Sequence, residues 1–303
     1  MKKHAYLYLA HNDLDCLQRS IDFVDDERND IFVHVDLKCN KVINLKSSKS
    51  HLFLIPRTKV YWGGYSQTNA TFRLMEYAKN NGSYDYYHLL AENALPVKSQ
   101  DSIHEFFDKN SDSLLYFHVN QRPNYKLIVN RAKFYYPFIE TDAFRLSKIV
   151  KGLSLFLGRL QALVFINRLR KVNESLYPLW NGWEWFSIPE DFVTYMLSKE
   201  NVVQEVFHKT LASEEVFFMS LAANNPVFRK RIFAFNCEPQ DIIRASKVYQ
   251  DWSDGKPKVF DLSDYEALMT DQTDRFFFAR KFNSVKSKDL IDKIEYTLSK
   301  KGE

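Results

Sequence analysis

Apolar positions in the first half of the chain switch between the spacing of strands and that of helices. Residues 4–10 (HAYLYLA) form a short apolar run and predict a strand. Leu14, Leu17 and Ile21 then recur at helical spacing, with Asp13 where an N-cap belongs, so a helix is expected through about Val24. Residues 31–35 (IFVHV) predict a buried strand ending at Asp36, and residues 52–55 a further short one. The run Val60-Tyr61-Trp62-Gly63-Gly64 breaks into a loop, Ser66 opens a helix, and Asn80-Asn81-Gly82 stops it. Residues 85–91 and 114–119 predict two more strands. Strands separated by helices imply an α/β fold whose mostly parallel sheet carries helices on both faces. Such sheets bind ligands beyond the carboxyl ends of their strands, here residues 10–12, 36–38 and 91–94.

Residues 145–171 differ in character. They hold seven Lys or Arg and no acid, and Ile149, Leu153, Phe156, Leu160 and Leu163 recur at helical spacing. One reading is a core helix with a solvated basic flank. The sharper one is a helix lying on an anionic membrane surface, although Gly152 and Gly158 weaken any long helix. Beyond it come an aromatic stretch at 180–186, helices near 189–197 and 213–223, the basic-apolar segment 276–282 (FFFARKF), and a terminal helix at 288–299.

Composition changes this picture little. A chain of 303 residues with 45% hydrophobic and 26% charged positions suits a globular protein of one large or two small domains. No repeat or linker divides it, so one compact unit with two lobes is expected. Lys and Arg exceed Asp and Glu by 42 − 38 = 4, too few to argue for nucleic acid. Aromatics reach 16%, which fits a Phe-rich core or surfaces that stack on sugar rings. Cys16, Cys39 and Cys237 are odd in number and far apart, which supports neither a disulfide framework nor a zinc site. The start lacks the pattern of a signal peptide, and no run of 18 apolar residues exists. A reducing compartment, most simply the cytoplasm, is expected.

There is no P-loop, G-x-G-x-x-G, H-E-x-x-H or G-x-S-x-G. A metal-using nucleotide-sugar transferase usually offers Asp-x-Asp after a mid-sheet strand, where this chain has Glu92-Asn93-Ala94. Asp13-Leu14-Asp15 lies at a helix start, which capping explains. Without a metal, a diphosphate needs fixed cations, and the last quarter supplies Lys258, Arg280 and Lys281. Two carboxylates are candidate bases for an acceptor hydroxyl: Glu215, which also suits a helix start, and Glu184, between Trp183 and Trp185.

Together these pieces resemble glycosyltransferase family 14, which includes the core-2/I-branching β-1,6-N-acetylglucosaminyltransferases and the peptide O-xylosyltransferases. The resemblance covers nearly the whole chain. It rests on AYLYLAHND (5–13), IFVHVD (31–36), VYWGGYS (60–66), HLLAENALPVKS (88–99), WEWFSIPEDFVTYML (183–197), ASEEVFFMSLAANNP (212–226), DW (251–252), KPKVF (256–260) and FARKF (278–282), in the family's order.

The resemblance implies a GT-A-like fold, inversion at the anomeric carbon, and no cofactor or divalent metal. It implies that Leu9, Ala10, His11 and Asp36 hold the uridine, with Tyr61 nearby. Lys258 and Lys281 stand 23 positions apart, as the family's diphosphate-binding pair does, and Arg280 joins them by similarity to the xylosyltransferases. Glu215 matches the branching enzymes' base and Glu184 an acid assigned to catalysis in the xylosyltransferases, so both stay open. Trp252 matches a tryptophan that contacts the acceptor, and Trp183 is a further acceptor candidate. Ala94 stands where the family often has Asp. Lacking the disulfides and anchor of the animal members, the chain is similar to the bacterial branch.

The expectation is therefore a single transferase domain, 1–303, with a nucleotide-binding half (1–120) and an acceptor and catalytic half (121–303). It would move a sugar, GlcNAc by family frequency, from a UDP-sugar to a hydroxyl of a glycan. That acceptor could be lipid-linked, at the inner face of a bacterial membrane, in surface polysaccharide assembly. The alternatives are a glycoside hydrolase using Glu184 and Glu215 as a carboxylate pair, or an inactive sugar-nucleotide or glycan-binding protein.

Overall fold

The computed structural model describes residues 3–109, 114–120, 122–161, 163, 169, 174–235, 245–269 and 276–300. Cys237, Arg168, Arg170 and Lys171 lie outside the described residues.

The expected α/β architecture is the one observed. The main sheet has the order β3 (His51–Leu54), β2 (Asn29–Val35), β1 (His4–Ala10), β4 (Tyr86–Ala91), β7 (Gly182–Pro189) and β6 (Tyr116–Val119). Its first four strands are parallel, and β7 runs antiparallel to both β4 and β6. Alternation along β1 sorts the helices. Tyr6 and Tyr8 turn to one face, where Tyr8 Oη meets Ser20 Oγ of α1 (Leu14–Val24) at 2.7 Å. On the same face Tyr6 Oη donates to Gln100 of α3 (Gln100–Lys109). Leu7 pairs in register with Phe32, whose ring meets Tyr77 of α2 (Tyr65–Asn81) on the other face. The twelve largest fully buried side chains are all Tyr or Phe, so much of the aromatic content fills the core.

The early elements follow local chemistry. Asp13 caps α1 by accepting from the Cys16 amide. Its other carboxylate oxygen accepts from Asn283 and from the Ser284 amide, so one side chain joins the first helix to the C-terminal segment. Asn80-Asn81-Gly82 ends α2 as expected.

A second, three-stranded sheet does not follow from local pattern. It has the order β5 (Ala94–Pro96), β9 (Phe278–Arg280), β8 (Val248–Gln250). Each strand is three residues long, and only the pairing makes them strands. This sheet places Arg280 directly across from Ala94, at the end of the parallel strands. The terminal helix Lys288–Lys300 packs Leu290, Ile291 and Ile294 with Leu95, Phe260 and Phe282 beneath it.

The expected helix at 213–223 is split. Residues Ser213–Glu215 form one 3-10 turn, and α9 (Phe217–Asn224) begins after Val216. Ala212 at φ 58 sets that turn, and the bond between Thr68 Oγ1 and Ser213 Oγ (2.7 Å) pins it to α2.

Candidate active site

The carboxyl ends of β1, β2 and β4 meet in one place. The Asp36 amide donates to Ala10 O, and the Glu92 amide donates to Leu9 O. Glu92 is 2% exposed and accepts from the amides of His11 (2.5 Å) and Asn12 (2.9 Å), with His11 Nδ1 at 2.9 Å. Burial pushes its carboxyl up, but the His11 ring and the two amides outweigh that and hold it below the usual range. The sequence places Glu92 at a strand end, 91–94, and where Asp-x-Asp is missing, but gives it no role of its own. Its work is to fix the His11-Asn12 loop.

Asp36 is buried and shapes the neighbouring loop. Its Oδ1 accepts from the amides of Lys38 (3.0 Å) and Val60 (3.2 Å). Lys38 Nζ lies 4.5 Å from the centre of the Tyr61 ring and 2.7 Å from Asp142. Arg57 donates to the carbonyls of Asp36 and Cys39. Leu9, Ala10, His11, Asp36 and Tyr61 therefore line up along the strand ends, with Lys38 and Arg57 as partners that the motif reading missed.

The Gly63-Gly64 pair carries the loop to the carboxylates. Gly63 takes φ +71, and its carbonyl accepts from the Ala212 amide at 2.7 Å. A Cβ on Gly64 would stand 2.8 Å from the Glu140 carboxylate, which accepts from the Ser66 amide. One turn into α2, Gln67 donates to Glu184.

Three carboxylates gather there. Glu184, on β7, is partly buried, and its pKa is pushed up to about 7. Burial is the main cause; Arg280 opposes it, and Glu215 adds to it. Glu215 makes an ion pair with Arg131 at 2.7 Å and keeps 43% of its side chain exposed. Glu214, which the sequence reading passed over, is buried, and its Oε2 has no hydrogen-bond partner among the described residues. Burial, then the charges of Glu184 and Glu215, push its carboxyl well above the usual range. Its position in the 3-10 turn, rather than on an amphipathic helix, is what turns it inward.

The cations divide. The Arg280 guanidinium stacks on Trp185 at 4.6 Å and donates to Gln250 at 3.1 Å, while its Nε has no partner among the described residues. Burial lowers its pKa to about 10, against the pull of Glu184. Lys281 is also lowered, by burial and by Arg280, with Glu184 opposing. Both therefore act within the field of Glu184. Lys258 joins Lys281 through backbone, its carbonyl accepting from the Lys281 amide at 3.2 Å. Its ammonium is turned to Asp264 at 2.5 Å, which raises its pKa. Trp183 stacks on His118 at 4.7 Å beside Glu184, and Trp252 is exposed on the loop after β8. Among the described residues, no group of three His, Cys, Asp or Glu is arranged to hold a metal ion. Chemically, the site offers a carboxylate poised near neutral pH, a second exposed one, and two desolvated cations.

Known proteins similar to this chain are glycosyltransferases. The chain is 22% identical over 321 residues to xylosyltransferase 2 of Rattus norvegicus, covering 97% of this chain and 33% of that protein. It is 23% identical over 306 residues to xylosyltransferase 1 of Homo sapiens, covering 93% and 29%. The chain thus spans about a third of the length of these relatives. Among solved structures, mouse xyloside xylosyltransferase 1 in its apo form is similar at 9% identity and a TM-score of 0.35, over 88% of this chain and 94% of that one. The family model described as "Core-2/I-Branching enzyme" matches residues 4–272, and the chain belongs to that family of glycosyltransferases.

Proposed function

We propose that this protein transfers a sugar from a UDP-sugar to a hydroxyl of a carbohydrate acceptor, with inversion and without a divalent metal. One observation carries the reading: Glu184, poised near neutrality, shares a site with the desolvated cations Arg280 and Lys281. Uridine lies along the strand ends at Leu9, Ala10, His11 and Asp36, beside Tyr61. The diphosphate meets Arg280 and Lys281, and Lys258 swings from Asp264 to complete the clamp. The acceptor enters past Trp252 and Trp183.

The acceptor oxygen attacks carbon 1 of the donor as its proton passes to Glu184. The bond from carbon 1 to the diphosphate oxygen breaks, and its electron pair leaves with UDP. Arg280 and Lys281 stabilise the charge that develops there. What favours Glu184 as base is its pKa near the working pH and its lack of a committed cation partner, whereas Glu215 is already paired with Arg131. Glu215 then orients the acceptor. Its greater exposure supports the second reading, in which it takes the proton itself.

GlcNAc is the first donor to try, from the branching enzymes, and xylose the second, from the similar xylosyltransferases. A glycan carried on a lipid in bacterial surface polysaccharide assembly is the proposed acceptor. The nucleotide-binding half is assigned to 1–120 and the acceptor half to 121–303. The test is UDP release from UDP-GlcNAc and UDP-xylose against a glycan panel in EDTA. Acceptor-dependent release, lost in Glu184→Gln, is expected. Sugar release from glycans without any UDP-sugar would instead mark a hydrolase working through Glu184 and Glu215.

A further inference from the structure

Helix α6 (Lys148–Leu160) is turned inside out for a helix on a protein surface. Its two buried residues are Ser154 and Gly158. Ser154 Oγ donates to the carbonyl of Pro137, and a Cβ on Gly158 would stand 3.0 Å from the Tyr136 ring. The small residues thus sit against the protein. Leu155 packs against the Phe134, Tyr136, Ile139 and Phe144 cluster, but Ile149, Leu153, Phe156 and Leu160 face outward, with Ile149 83% and Phe156 57% exposed. Leu146 and Leu163 extend the stripe at either end, both exposed. An ordinary amphipathic helix does the reverse.

Along residues 145–171 the charges have one sign. Arg145, Lys148, Lys151 and Arg159 fall within the stripe or beside it, and no Asp or Glu occurs from 145 to 171. The occupant of this face must therefore be both apolar and anionic. A second copy meeting face to face would bring the same cations against these, as a two-fold contact requires. A bilayer with anionic headgroups satisfies both demands.

We propose that α6 lies in the headgroup region of an anionic membrane, with the Ile149–Phe156 face immersed and the basic residues among the headgroups. No helix among the described residues is long and apolar enough to cross a membrane, so the contact is a surface one. The docked face adjoins the mouth of the site. Lys151 Nζ stands 5.0 Å from the exposed Trp62 ring, next to Tyr61, and Arg145 acts electrostatically on Lys281. A lipid-borne acceptor would thus reach the carboxylates without leaving the membrane, a consequence that rests on the function proposed above. The docking itself does not.

The experiment is co-sedimentation of the purified protein with vesicles of phosphatidylcholine alone or mixed with phosphatidylglycerol. The wild type is expected to pellet with the mixed vesicles and far less with the neutral ones. Ile149→Asn with Phe156→Asn, and separately Lys148→Gln with Arg159→Gln, should each weaken that binding about tenfold or more at unchanged Tm. No binding to mixed vesicles, or binding that neither pair alters, overturns the proposal. So does a solution dimer that Ile149→Asn with Phe156→Asn dissociates, which would assign the face to a second copy. UDP release from the UDP-sugar with a soluble glycan as acceptor, measured on the same variants, reports on the catalytic reading separately.

Discussion

Glu184 meets two opposed demands at the level of a single side chain. Burial favours its protonated form, while Arg280 favours the anion, and the balance falls near pH 7. A base works deprotonated, so kcat/KM should rise with pH and level off above about 7. Glu184→Gln should lose about 10²–10⁴-fold in kcat. A pH–rate profile of wild type and variant checks both, and a wild-type profile flat from pH 5 to 9 would remove Glu184 from the role. The same burial has a cost in stability. Glu184 and Glu214 both carry folded pKa values above their unfolded ones. Their folded-state preference for the proton therefore stabilises at acid pH and is lost as pH rises from the usual carboxylate range, through about 7 for Glu184. Glutamine keeps the shape and removes the ionisation. Glu184→Gln and Glu214→Gln should thus each raise Tm by a few degrees at pH 8 and have little effect at pH 4. Thermal denaturation at the two pH values decides it, and equal shifts at both would contradict the account.

At the scale of elements, the Gly63-Gly64 loop joins the strand ends around Asp36 and Tyr61 to the carboxylates. Gly63 sits at φ +71, and a Cβ there would meet Leu211 at 3.1 Å. Gly63→Ala should therefore cost about 1–2 kcal/mol of stability, seen as a lower denaturant midpoint. An unchanged midpoint would mean that the turn relaxes freely. The loop was legible in the sequence because glycines mark a turn locally. So were β1, α1, β2 and α2, whose apolar spacing and caps are written within each segment. The three-residue strands β5, β8 and β9 were not, because β9 creates them by pairing with β8, 30 residues earlier, and with β5, more than 180 residues earlier. Nor was the 3-10 turn at Ser213–Glu215, where the Thr68 hydroxyl and the Ala212 backbone outweigh a helical pattern. Glu214 was missed for that reason: on a helix its direction would have differed.

The whole molecule converts order along the chain into a site. Asp13 ties α1 to residues 283 and 284, Glu92 ties the ends of β1 and β4, and Arg280 comes back across Ala94. Motif order singled out 184, 215, 280 and 281, and the fold brings these four within electrostatic reach of one another. Motif order did not foretell that Lys258 rests on Asp264, since a side-chain rotamer leaves no trace in motif spacing. The proposed function depends on a diphosphate site made of Arg280 and Lys281 beside a neutral-range carboxylate. Calorimetric titration of UDP in excess EDTA tests it most directly, on wild type and on Arg280→Ala with Lys281→Ala. The account predicts binding in EDTA that falls at least about tenfold in the double variant. Binding that needs added Mn²⁺, or that survives loss of both cations, would contradict it.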